Sequence, residues 1–123
     1  MAFGSEILIV LVVEDEWLLR LAVAKALRDD GWSVIEAATG EGALGYLQAG
    51  QRVSLVVTDI QLGGDVDGWD IADAFRDRCS NLPIIYASGT SRKLDREVHG
   101  SVYLEKPLRM NDLLGACHRL LAA

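Results

Sequence analysis

Residues 7–16 read ILIVLVVEDE, an unbroken apolar run rich in β-branched side chains that ends abruptly in Glu14, Asp15 and Glu16. A strand apolar on both faces belongs in a parallel sheet covered on each side, not in a sheet with one wet face. The run is too short to span a bilayer, and Met1 to Glu6 carries no positive region, so neither a membrane segment nor a signal peptide is expected. The expected location is the cytoplasm.

Working outward, Trp32 to Ala38, Val53 to Thr58, Ile84 to Ala87 and Ser101 to Leu104 supply four further strand candidates. Helical patterns separate them. Leu19, Ala22, Val23, Ala26 and Leu27 fall on one helical face that Gly31 terminates, and Glu41 to Gln48 forms a shorter helix ended by Gly50. Gly68 to Arg78 points Ile71, Ala74 and Phe75 inward before Asn81 and Pro83 stop it, and Leu113, Ala116, Cys117, Leu120 and Leu121 repeat the full stripe. Strands alternating with helices, joined by right-handed crossovers, predict a doubly wound (βα)5 flavodoxin-like α/β sandwich with a parallel five-stranded sheet in the order 2-1-3-4-5. At 123 residues the chain reads as one domain, 1–123. Only 17 residues separate Ser88 from Lys106. Their helix candidate, Arg92 to His99, is polar, with Leu94 and Val98 its only large apolar residues, so a short or irregular fourth helix is expected.

The bulk figures exclude several classes. Half the residues are hydrophobic, which suits a folded domain, and a net charge of −6 with a pI near 4.8 argues against direct nucleic-acid binding. Cys79 and Cys117 form no CxxC pattern and read as reduced, buried thiols on helices. His99 and His118 lack partners at metal-ligand spacing.

Chemistry gathers where the apolar runs end. In open parallel sheets ligands bind beyond the carboxyl ends of the strands. Glu14 and Asp15 follow the first strand, Asp59 the third, Ser88 the fourth and Lys106 the fifth. In the order 2-1-3-4-5 the first and third strands are neighbours, so three carboxylates converge and demand a cation, for which oxygen ligands of this kind suit Mg²⁺. Ser88 and Lys106 come to the other side of Asp59, as a hydroxyl donor and an ammonium able to hold an oxyanion. Asp59 is then placed as a nucleophile accepting a phosphoryl group.

LIVLVVEDE (8–16), VVTDIQLGGDVDG (56–68), PIIYASG (83–89) and YLEKP (103–107) together resemble the receiver domain of two-component response regulators, chemotaxis-regulator-like and single-domain, over essentially the whole chain. The resemblance implies that Asp59 is the phosphoacceptor. It implies that Glu14, Asp15, Asp59 and the backbone carbonyl of Gln61 hold Mg²⁺, that Ser88 and Tyr103 are the switch residues, and that Lys106 pairs with the phosphate through a turn whose Lys-Pro bond is usually cis. The family's loop after the acceptor commonly carries Met-Pro; here Leu62, Gly63 and Gly64 stand there and Gly68 comes nine residues after Asp59, which predicts a looser loop.

Each residue alone has an ordinary explanation. Asp59 and Ser88 suit turns, Glu14 and Asp15 suit a helix start, and Tyr103 suits core packing. Order and spacing together favour the site. The segment GEGALG at 40–45 matches a dinucleotide fingerprint but follows the second strand, and no second nucleotide-binding half fits. Asp65, Asp67 and Gly68 hint at a calcium loop, yet Gly63 and Ala74 occupy ligand positions of that pattern.

The expected function is a phosphoacceptor signalling switch, not an enzyme beyond its own phosphorylation and dephosphorylation. Its expected partners are a sensor histidine kinase or histidine phosphotransfer protein and a downstream effector protein. A phosphorelay intermediate, or a dormant protein-interaction module of the same fold, is the alternative.

Overall fold

The computed structural model describes residues 7–89 and 96–121. Strands β1 (Ile9–Val13), β2 (Ser33–Ala37), β3 (Leu55–Asp59), β4 (Ile84–Ser88) and β5 (Val102–Glu105) form one parallel sheet in the order β2-β1-β3-β4-β5, the predicted topology. Helices α1 (Trp17–Asp29), α2 (Gly40–Gln48), α3 (Gly68–Arg78) and α4 (Met110–Leu121) cover it.

The uniform apolar character of the strands is explained by two separate cores. Val10, Val12, Leu55, Val57 and Ile85 pack beneath α1 and α4 with Val23, Leu27, Leu113, Ala116 and Cys117. Their sequence neighbours Leu11, Val13, Val56, Ile84 and Tyr86 pack on the opposite face with Ala43, Trp69, Ile71, Ala72 and Phe75 from α2 and α3. Alternate residues of one strand therefore serve different cores, each fully buried aliphatic contributing about 1.5–3 kcal/mol. Gly31 and Gly50, at the ends of α1 and α2, take positive φ of 97° and 75°, the conformation expected of terminating glycines.

Two expectations need correction. On α1 the inward stripe is as expected at Leu19, Val23, Ala26 and Leu27, but Ala22 is exposed, whereas Ala24 is buried and Arg20 half-buried. Apolar periodicity alone would not assign an arginine there. Cys79 is exposed at the C-cap of α3, and only Cys117 is buried, where burial raises its thiol pKa to about 11.

Of the expected short helix, residues 92–95 lie outside the described residues, and 96–98 carry no regular secondary structure. Stitches to the core hold this return to β5. The Val98 amide donates to the buried Tyr86 hydroxyl at 3.0 Å, Arg76 donates to the His99 carbonyl at 2.8 Å, and Arg96 bridges to Asp73 at 3.2 Å and Asp70 at 3.6 Å. Trp69 lies against the Tyr86 ring, centroids 4.7 Å apart, so the acceptor of the first stitch is itself fixed by packing.

Leu27 is fully buried between α1 and the sheet. Leu27→Ala is expected to lower stability by about 2–5 kcal/mol in urea unfolding, through lost burial and a residual cavity.

Candidate functional site

The strand registers bring the polar residues together. Val13 pairs with Thr58, Asp59 with Ala87 and Ser88 with Glu105, so the carboxyl ends of β1, β3, β4 and β5 are level. Beyond the ladder, the Glu14 amide donates to the Ala37 carbonyl at 3.1 Å and the Lys106 amide to the Ser88 carbonyl at 2.8 Å. Side chains that leave the chain at these points have little freedom of direction.

Oxygens of Glu14, Asp15 and Asp59 lie within 4.8 Å of one another. Glu14 and Asp59 are buried while Asp15 is exposed, so the cluster is open to solvent on one side. Lys106 Nζ stands 2.8 Å from Glu14 Oε1 and 3.1 Å from Asp59 Oδ2. The other oxygens are also engaged: Glu14 Oε2 accepts from the Glu16 amide at 2.9 Å, and Asp59 Oδ1 from the Gln61 amide at 3.3 Å. The Lys106–Pro107 peptide is cis, in keeping with the family pattern.

Burial pushes the Glu14 carboxyl above its ordinary pKa; bonds from Lys106 and the Glu16 amide work the other way, and the Asp59 charge adds to the rise. For Lys106, burial opposes the ammonium form, but hydrogen bonds to Glu14 and Asp59 outweigh it and the pKa is raised. Both shifts are upward, which favours the charged form of Lys106 but the neutral form of Glu14, because the partners are unequal. Lysine gains two anions, while Glu14 must share one cation with Asp59. Lys106 therefore stabilises the fold fully below the ordinary lysine pKa of 10.5, and its contribution is lost as pH rises through the higher folded value.

Around this cluster the loop after β3 is anchored at several points. Asp67 and Asp70 form a capping box on α3, and the Asp65 amide donates to Glu41 at 3.2 Å. A Cβ at Gly68 would stand 2.3 Å from the Asp59 carbonyl oxygen, so glycine is required for α3 to start this close to the cluster. Gly64 lets the backbone pass the Glu41 carboxylate closely. Ser88 is buried at the end of β4. Tyr103, half-buried in β5 and in register with Tyr86, packs against the α2–α3 side core.

All the sequence-predicted residues thus come to one end of the sheet, with Tyr103 a strand position further in. Arg20 and Glu36 escaped the sequence reading. The Arg20 guanidinium donates to the Glu14 carbonyl at 2.9 Å and pairs with Glu36 Oε1 at 3.3 Å. Its signal was a half-buried charge beside the inward stripe of α1, visible only in the folded chain.

The chain belongs to the response regulator receiver domain family, whose model matches residues 10–118. It is 34% identical to a probable transcriptional regulatory protein of Picosynechococcus over 91% of this chain and 48% of that protein. It is also 35% identical to the alkaline phosphatase synthesis transcriptional regulatory protein SphR of Synechococcus elongatus, again over 91% of this chain and 48% of that protein. The chain spans about half the length of these curated relatives. Among solved structures, a response regulator receiver protein from Sinorhizobium medicae superposes with a TM-score of 0.92 at 34% identity, covering 97% of this chain and 98% of that one. Response regulator TrrA of Thermotoga maritima, in complex with Mg²⁺ and BeF, matches with a TM-score of 0.84 at 26% identity, covering 94% and 100%. Receiver domains of this family are phosphoacceptor switches that interact with histidine kinases and are not enzymes of the ordinary kind. The described residues include no helix long and apolar enough to cross a membrane.

Magnesium is held by a few carboxylate oxygens, and the three carboxylates, with oxygens within 4.8 Å of one another, are a donor set of the kind that suits it. Among the described residues Lys106 is the cation paired with both Glu14 and Asp59. Lys106→Met is expected to lower stability by about 3 kcal/mol at pH 7, the low end for a broken buried pair because the ammonium is partly exposed. The loss should shrink as pH falls and Glu14, whose pKa burial raises, takes up a proton, read from urea unfolding at pH 4 and pH 7.

Proposed function

We infer that this receiver domain takes a phosphoryl group onto Asp59 and signals through a partner protein. The observation that carries the reading is the buried Asp59 carboxylate, clustered with Glu14 and Asp15 and paired at 3.1 Å with the Lys106 ammonium, which also bridges to Glu14. A carboxylate oxygen of Asp59 attacks phosphorus, the bond from phosphorus to the donor's histidine nitrogen breaks, and the imidazole keeps the electron pair and takes a proton. Lys106 and the Ser88 hydroxyl donate to the transferred oxygens, and Gln61 holds Asp59 in line through its amide. A magnesium ion held by Glu14, Asp15, Asp59 and the Gln61 carbonyl would neutralise charge during transfer. Ser88 and Tyr103 respond to the new charge as the switch pair, biasing an existing equilibrium of the β4–β5 face.

Trp17, Leu18 and Leu21 are exposed at the start of α1, beside a groove lined by Glu16, Leu19, Lys106, Pro107 and Leu108. An apolar patch at the mouth of the acceptor site suits the helical surface of a histidine kinase or histidine phosphotransfer protein. The working location is the cytoplasm, and the acidic balance of the chain disfavours direct contact of this domain with nucleic acid.

Acetyl phosphate with Mg²⁺ should label the wild-type protein, and Asp59→Asn should abolish the labelling, as should chelation of the metal. Persistent labelling of D59N would refute the acceptor assignment. A stable adduct fits a switch, rapid transfer to a histidine phosphotransfer protein a relay, and no adduct at all a dormant module. Trp17→Ser should reduce transfer from a phosphorylated histidine partner about tenfold or more while leaving acetyl phosphate labelling unchanged; equal losses in both assays would count against the docking patch.

A further inference from the structure

We propose that Arg20 is a positioning residue for the metal-binding acids, acting through the Glu14 carbonyl rather than through any contact with the reacting group. The inference rests on the metal-site reading above. The guanidinium sits at the head of the buried stripe of α1 and is only 17% exposed, while its partner Glu36 on β2 is 26% exposed. A cation at such a position needs fixed partners, and it has two from different elements: the Glu14 carbonyl at 2.9 Å and Glu36 Oε1 at 3.3 Å. Glu36 is itself anchored, since Oε2 pairs with Arg28 at 3.2 Å.

The carbonyl of Glu14 lies in the same rigid plane as the amide of Asp15. Holding that oxygen fixes the plane from which the Asp15 side chain departs. The Glu14 amide is already held by Ala37, so both peptide planes flanking Glu14 are pinned, one by β2 and one by Arg20. Asp15 is exposed and lies at the open side of the carboxylate cluster, which makes its direction the part most dependent on the backbone beneath it. Glu36 serves a second purpose. It offsets a positive charge that would otherwise stand close to a cation site and weaken it.

These two actions of Arg20 have opposite signs on metal affinity, so they can be told apart. Were Arg20 only a nearby charge, Arg20→Gln would tighten Mg²⁺ binding and Arg20→Lys would leave it unchanged. As a positioning residue, its forked guanidinium reaches two acceptors in a way that lysine cannot reproduce. Calorimetric titration of the unphosphorylated wild-type, R20Q and R20K proteins with Mg²⁺, alongside their melting temperatures, is the test. R20Q should bind Mg²⁺ about tenfold more weakly, as when a support of a metal ligand is removed, and R20K should fall between it and the wild type. Unchanged or tighter binding in either folded variant overturns the proposal while leaving the metal site intact. Failure of the wild type to bind Mg²⁺ overturns the metal-site reading and this inference with it. Should R20Q not fold, R20K decides alone, because a purely structural role would move its melting temperature and not its Mg²⁺ affinity.

Discussion

Carboxylates from two adjacent parallel strands meet at one end of the sheet, their oxygens within 4.8 Å of one another, and a single lysine from a third strand's end stands between two of them. Burial at this strand end raises the pKa of Glu14, and the neighbouring Asp59 charge adds to the rise. The arrangement persists because the chain cannot relax away from it. Burial on both faces fixes where β1 and β3 end, and half-buried β5 packs against the same two cores, so a residue at these strand ends must stay there unless the cores are disturbed. Hydrophobic packing therefore holds in place an electrostatic arrangement that would disperse on a softer support. The charge left uncompensated by Lys106 is what makes the site receptive to a cation.

Much of this architecture was readable from the sequence because its determinants are local. Apolar runs of strand length, helical stripes between them and glycines at helix ends each act within a few residues, and together they specify the alternation. The strand order follows from the topology to which that alternation points. What periodicity could not supply was the exact face of α1. Ala22 looks as apolar as any core residue yet is exposed, while Arg20 is half-buried beside Leu19 with Glu36 and the Glu14 carbonyl as its partners. Those partners come from β2 and from the preceding turn, and no window of α1 contains them.

The same distinction separates the legible from the illegible parts of the site. Glu14, Asp59, Ser88 and Lys106 announce themselves as polar residues at the ends of apolar runs. The supports behind them do not, because each joins positions far apart: Asp65 with Glu41, Gly68 with the Asp59 backbone, Val98 with Tyr86. A phenol in a strand looks like core packing, and its use as an acceptor for a backbone amide becomes visible only in three dimensions. The return to β5 is the clearest instance. Over 96–100 it carries no helix and draws its order from Arg76, Tyr86 and the acids of α3.

The placement of the tryptophans has an optical consequence. Trp69 is buried against Tyr86 directly after Gly68, Trp17 stands 61% exposed on α1, and Trp32 tilts over His118, ring centroids 5.6 Å apart. One indole thus borders the acceptor loop, a second faces the solvent where a partner would dock, and the third marks the far end of the sheet. Their surroundings differ enough that their emission should be separable in single-tryptophan variants, giving the molecule built-in reporters at its chemical centre, its docking face and a distant reference point.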